Sequence, residues 1–234
     1  MEELLSKNYY LITHCVEILA AVTGLIFYKK YKSTAAKYFV YFLIYTVFCE
    51  LIGRYTNFIN DDGFFSFLKG TIFEKNHWLF NITWFTGAIV FYTFYYSKNL
   101  KLKRDKAIVK YIGIIFFIFS ILYISYHHKE FFVVSFPVIN VIGAIVIVVC
   151  TVLYFTQILR SEKILTFYKS LNFYISSTIL IWWLITTPLV FYDIYFGLRD
   201  SSFVILKWKI YLLSNIFMYS MFTFALIFSN PEND

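Results

Sequence analysis

His14 and Glu17 stand three residues apart inside an apolar run, which puts an imidazole and a carboxyl on one face of a helix. Glu50 and Arg54 repeat the arrangement at a spacing of four near the end of a second run. His77 and Asn81, with Trp84, mark one face of a third run, and Asn140 and Asn215 fall inside two others. Side chains of these types share protons, hold ions and hydrogen-bond polar ligands. In lipid, a charge near the bilayer centre costs about 2.5–3.5 kcal/mol on insertion scales, so each such residue needs a partner or a purpose. Glu17 is the sharpest case. It lies mid-run with no charged neighbour four residues on, so it must be protonated or paired with another helix.

Plainer roles stand beside these. Glu50 and Arg54 can pair with each other near a helix end, with Arg54 reaching the interface. His77 opens its run within reach of headgroups. Asn81, Asn140 and Asn215 can tie helices together by hydrogen bonds. Lys207 and Lys209, near the start of the last run, can reach water.

The elements that must position these groups are membrane helices. The chain has 234 residues, of which 60% are hydrophobic, 24% aromatic and only 15% charged, against about 25% charged in a soluble domain. A membrane crossing needs roughly 20 mostly apolar residues. Seven such stretches are expected, at Tyr9–Tyr28, Ala36–Gly53, His77–Ser97, Ala107–Tyr126, Phe131–Gln157, Phe167–Tyr192 and Phe203–Phe228. Ile112–Ile124 is continuously apolar apart from Ser120 and lacks the alternation of a barrel strand. The expected fold is therefore an all-α polytopic bundle of seven transmembrane helices, one domain over residues 1–234. The fourth span is expected to face lipid. Ala21 and Gly24 continue the His14–Glu17 face as small residues that seat a neighbouring helix. Aromatic residues exceed what interfacial belts require, so many must pack between helices.

Thirteen of the 21 Lys and Arg residues lie in the first, third and fifth connections: Lys29, Lys30, Lys32 and Lys37; Lys98, Lys101, Lys103, Arg104, Lys106 and Lys110; Arg160, Lys163 and Lys169. The remainder include Lys7, Arg54, Lys69, Lys75 and Arg199. Basic residues mark the cytoplasmic side, which places the N-terminus outside and the C-terminus inside. Counting depth from the span ends then puts His14, Glu17, Glu50, Arg54, His77, Asn81, Asn140, Asp193 and Asn215 in the outer half or near the midplane. The inner half holds mainly Asn172 and Gln157. A polar cavity nearer the outer face is the expected site.

Several function classes fall away. The net charge of +7 comes from basic loops beside a membrane, with no nucleic-acid recognition motif outside it. Met1–Lys7 lacks a basic leader region, so the first span is expected to be retained. Cys15, Cys49 and Cys150 all lie within spans, read as packing residues with no zinc or disulfide spacing. A retinal-binding bundle needs a mid-span Lys in its last helix, where this chain reads Leu212-Leu213-Ser214-Asn215. Zinc hydrolases of the ceramidase type need three His, and here none follows His128. No cofactor, metal or catalytic set is expected. The outer loop 54–76 carries the turn Asn60-Asp61-Asp62-Gly63 followed by Phe64, Phe65, Phe67 and Leu68, expected to pack as a lid over the outer bundle face.

The segments Tyr45-Thr46-Val47-Phe48-Cys49-Glu50-Leu51-Ile52-Gly53-Arg54-Tyr55 and Asn76-His77-Trp78-Leu79-Phe80-Asn81-Ile82 resemble small seven-helix integral membrane proteins of Bacteroidota-type bacteria, most strongly over residues 36–97. The resemblance implies the architecture and a bacterial inner membrane, and implies no activity. The function expected from the residues is a sensory or regulatory subunit that binds a small or lipidic ligand and signals through helix contacts to a membrane partner. A transporter or proton-conducting protein is the alternative, and an intramembrane lipid-modifying enzyme a third reading.

Overall fold

Uninterrupted apolar side chains and the need to satisfy every backbone N–H and C=O within the segment make helices the only outcome for these runs in lipid. In the computed structural model, which describes residues 8–196 and 201–231, the runs are helical. We label them α1 (Tyr9–Ile26), α2 (Ala36–Gly53), α3 (77–99), α4 (Lys103–Tyr126), α5 (Pro137–Leu159), α6 (Leu171–Phe196) and α7 (Ser201–Phe228). Lys7 and Arg199 lie outside the described residues, as do the side chains of Lys163 and Asp193. No strand forms among the described residues; Ser170 and Asn230 make an isolated bridge.

Among the described residues six helices are long and apolar enough to cross a membrane, so this is a multi-pass helical membrane protein. The segment expected as the third of seven spans, His77–Ser97, differs from the rest. It is helical throughout, but a π-helix over Asn81–Ala88 separates α-helical pieces at His77–Phe80 and Ile89–Asn99. The fifth helix starts later than the expected Phe131. Pro137 occupies its first turn, where a missing N–H costs nothing, and Phe136 is extended ahead of it. Pro188 lies inside α6, where it removes one backbone donor; the Thr186 and Thr187 hydroxyls donate to the Trp182 and Trp183 carbonyls one turn back.

Short connections force neighbouring helices to run antiparallel. Thus α1 packs between α2 and α7, α7 against α6, α6 against α5, and α5 against both α4 and α3. The first and last helices meet, which closes a ring. Gly24 sits at the α1 seam, where a Cβ would lie 3.1 Å from Val40 of α2 and 3.7 Å from Leu226 of α7. Aromatic residues fill the interior: Phe42 stacks on Phe91 at 4.2 Å, and Phe39 meets Phe222 edge-on at 4.9 Å. The lowest buried share belongs to α4, at 22%; Ile115, Ile118 and Leu122 face outward.

The end of the bundle that carries the connections 26–36, 99–103 and 159–171 is closed by hydrogen bonds. Tyr95 donates to Asn172, whose amide donates to Asn99 Oδ1 at 3.0 Å. Gln157 accepts from the Lys101 N–H, Tyr96 donates to Ser176, and Tyr31 donates to the Leu226 and Ser229 carbonyls. Asn172 thus finds its partners in Tyr95 and Asn99, and Gln157 finds its own in the Lys101 N–H and the Asn99 carbonyl.

The loop 54–76 is tied down at its ends and not at its tip. Tyr55 donates to the Phe73 and Lys75 carbonyls, Asn76 to the Gly53 carbonyl, and Trp78 to the Tyr55 hydroxyl. Phe64 and Phe67, expected to pack as a lid, are 83% and 69% exposed. The turn at Gly63, whose Cβ would lie 2.2 Å from the Phe58 carbonyl oxygen, folds the tip outward on itself.

Candidate functional site

At the opposite end, the first half of α1, the second half of α2, the start of α3 with its π segment, the 133–136 connection, the first turn of α5 and the outer part of α7 surround a chamber of about 830 Å³. Its floor is at Glu17, Thr46 and Tyr219. Glu17 lies eight residues into α1, about 12 Å from its start at the helical rise. Below it, the buried side chains of Ala20, Val40, Phe39, Phe222 and Tyr92 fill the bundle. Most lining residues lie toward this end of the bundle, Trp182, Met218 and Tyr219 fall just past the midpoints of α6 and α7, and α4 contributes none.

The chamber brings together His14, Glu17, Glu50, Arg54, His77, Asn140 and Asn215. Glu17 is 3% exposed. Its carboxyl lies 3.4 Å from His14 Nδ1. His77 meets the Ser135 hydroxyl at 3.2 Å, and Asn215 accepts from Trp182 Nε1 at 2.8 Å. Trp182 meets Trp84 edge-on at 5.6 Å, so Asn215 orients an aromatic wall as well as lining the space.

Two expectations need correction. Glu50 and Arg54 do not pair: no nitrogen–oxygen contact within 4.0 Å joins them, and the guanidinium donates to the Tyr10 carbonyl at 3.4 Å instead. The chain tightens from α-helix to 3-10 helix at Arg54, so the geometry of a spacing of four does not hold there. Asn81 lies outside the chamber. It is fully buried, its amide donates to the Phe131 and Val134 carbonyls at 3.2 and 2.9 Å, and its Oδ1 accepts from the Phe136 N–H at 3.2 Å. It fastens the 131–136 connection to α3, and that connection supplies one wall.

The π segment belongs to the same wall. Thr83, Trp84 and Phe85 face the chamber. The Tyr45 hydroxyl donates to the Thr83 carbonyl at 3.2 Å, across the space left by Gly87, where a Cβ would stand 3.1 Å from that hydroxyl. Tyr45, Thr46, Tyr219 and Trp182 were missed in the sequence because tyrosines and tryptophans abound in every span and carry no mark of azimuth. Of the cysteines, Cys150 is buried, Cys49 lines the chamber and Cys15 is exposed on the outside of the bundle, so only the first fits the packing role expected of all three.

Several polar atoms bordering the chamber have no hydrogen-bond partner among the described residues: Thr13 Oγ1, His14 Nε2 and Asn140 Oδ1. Their residues are 8%, 7% and 5% exposed. Buried polar atoms of this kind are normally satisfied. The arrangement offers hydrogen bonds and charge to a guest. Among the described residues no group of three His, Cys, Asp or Glu side chains converges as a metal site; His14 and His77 have separate partners. No protein-family model, curated protein or solved structure matches this chain.

Proposed function

We propose that this is a seven-span membrane protein, with 77–99 as the third crossing, whose chamber faces outward and binds a small or lipidic ligand in a sensory or regulatory role. The observation that carries the reading is a largely apolar chamber, studded with charged and polar side chains, that ends near mid-bundle: Glu17 and Tyr219 stand at its floor, and hydrophobic packing and hydrogen bonds fill the space beyond. A conducting protein needs polar groups across both halves; a binding protein needs them in one. The basic residues of the 26–36, 99–103 and 159–171 connections gather at the plugged end, and the positive-inside rule assigns that end to the cytoplasm. Output then passes through the helices to a membrane partner.

The orientation has a direct check. In a background with Cys15, Cys49 and Cys150 replaced by serine, Ser66→Cys reacts with a membrane-impermeant maleimide in intact cells, whereas Lys101→Cys reacts only after permeabilisation. The reverse pattern inverts the topology.

The binding role is tested on protein purified in a neutral maltoside detergent. Native mass spectrometry is expected to show an adduct on the wild type that is lost in Thr46→Trp, which fills the chamber floor, with the melting temperature of that variant confirming its fold. In proteoliposomes the wild type is expected to leave a proton gradient intact. Rapid dissipation of the gradient, abolished by Glu17→Gln, overturns the binding reading in favour of the transporter.

A further inference from the structure

The charges of the chamber are sorted by depth. The carboxyls are inside, Glu17 at the floor and Glu50 above it, and they interact electrostatically with each other. The permanent cations, Arg54, Lys75 and Lys207, stand at the rim, where α2, the 54–76 loop and α7 meet the surface. Arg54 makes no contact within 4.0 Å with either carboxyl. When both are ionised, two acids sharing one chamber repel each other; the Arg54 guanidinium offsets part of that repulsion from the rim, and a cation between the carboxyls relieves more of it.

Among the described residues the carboxyls, imidazoles and thiols do not group as metal ligands, which directs attention to an organic cation. Trp84 and Trp182 present aromatic surface to the same space, which suits an organic ammonium through its attraction to ring faces. A charge of the opposite sign on the guest, trailing toward the mouth, meets the rim cations.

Resting on the binding role above, we propose that the chamber takes a zwitterion inserted ammonium first, with a phosphate ester held at the rim by Arg54 and its neighbouring lysines. An aminoethyl phosphate is the chemistry, borne by a lipid headgroup or by a free molecule. The apolar wall at Val133, Val134 and Phe136 accommodates the first part of an acyl chain in the former case.

The test titrates the purified protein in neutral maltoside micelles and follows tryptophan fluorescence. The probes are lysophosphatidylethanolamine, lysophosphatidylglycerol, dodecylamine and soluble O-phosphoethanolamine. Lysophosphatidylethanolamine is expected to bind about tenfold tighter than the anionic and the cationic amphiphile, the yield of one charge-assisted contact. Glu17→Gln removes its advantage over lysophosphatidylglycerol, and Glu50→Gln does the same if the first variant fails to fold. Arg54→Gln removes its advantage over dodecylamine. Competition by O-phosphoethanolamine identifies a free zwitterion, and its failure to compete identifies the lipid; both support the charge assignment. Equal affinity for all three amphiphiles overturns that assignment and leaves the chamber as a binding site. Absence of binding by every probe overturns both.

Discussion

Asn81→Ala is expected to destabilise the protein by about 2–4 kcal/mol, read as a fall in melting temperature in detergent. The side chain makes three hydrogen bonds and is fully buried. Alanine leaves two carbonyls and one N–H of the 131–136 connection without partners, and the residues at its two ends, Phe131 and Phe136, are buried. A single interhelical hydrogen bond in a membrane protein averages only about 0.6 kcal/mol; the larger effect comes from three groups orphaned together. Asn140→Ala is the control. Its Oδ1 has no partner among the described residues, so its loss is expected to change stability by less than about 1 kcal/mol. Equal losses at the two positions overturn the role given to Asn81.

Gly113→Leu is expected to cost about 3 kcal/mol or more, because it forces α4 away from α3. A Cβ at residue 113 would stand 2.4 Å from Thr93 Oγ1 and 2.8 Å from Thr93 Cβ. The threonine cannot easily yield, since its hydroxyl donates to the Val90 carbonyl within its own helix at 2.8 Å. Gly113→Ala already produces a measurable fall in melting temperature. Combining it with Thr93→Ala recovers part of the loss, since the Oγ1 and Cγ2 clashes vanish while the Cβ clash stays. Strict additivity of the two single changes refutes the contact.

Much of the architecture was legible because the apolar runs are long and the chain is poor in residues that break helices. The second helix, Ala36–Gly53, has the expected ends, and the late start of α5 is explained by Pro137. Depth was legible in part: of the residues counted from the span ends as outer or central, His14, Glu17, Glu50, Arg54, His77, Asn140 and Asn215 line one chamber, Asn81 does not, and the Asp193 side chain lies outside the described residues. Azimuth was not. A count of 3.6 residues per turn puts His77, Asn81 and Trp84 on one face, but the π segment begins at Asn81 and changes the phase, sending Asn81 to the 131–136 connection while His77 and Trp84 reach the chamber. The 3-10 turn at Arg54 undoes the count for Glu50 in the same way. Both departures depend on tertiary partners, such as Tyr45 on the Thr83 carbonyl, that local sequence does not encode.

The wide turn of α3 has a mechanical consequence. An α-helix transmits twist as a stiff rod, whereas a turn closed by bonds one residue longer stores an extra residue that can be released. Conversion of Asn81–Ala88 to α geometry swivels the His77 end by about 100° relative to Ile89, the rotation of one residue. Trp84 and Phe85 ride on this coil, so such a rotation would carry the chamber wall with it. The Ile89–Asn99 shaft beyond it ends at the Asn172–Gln157 knot on the far side.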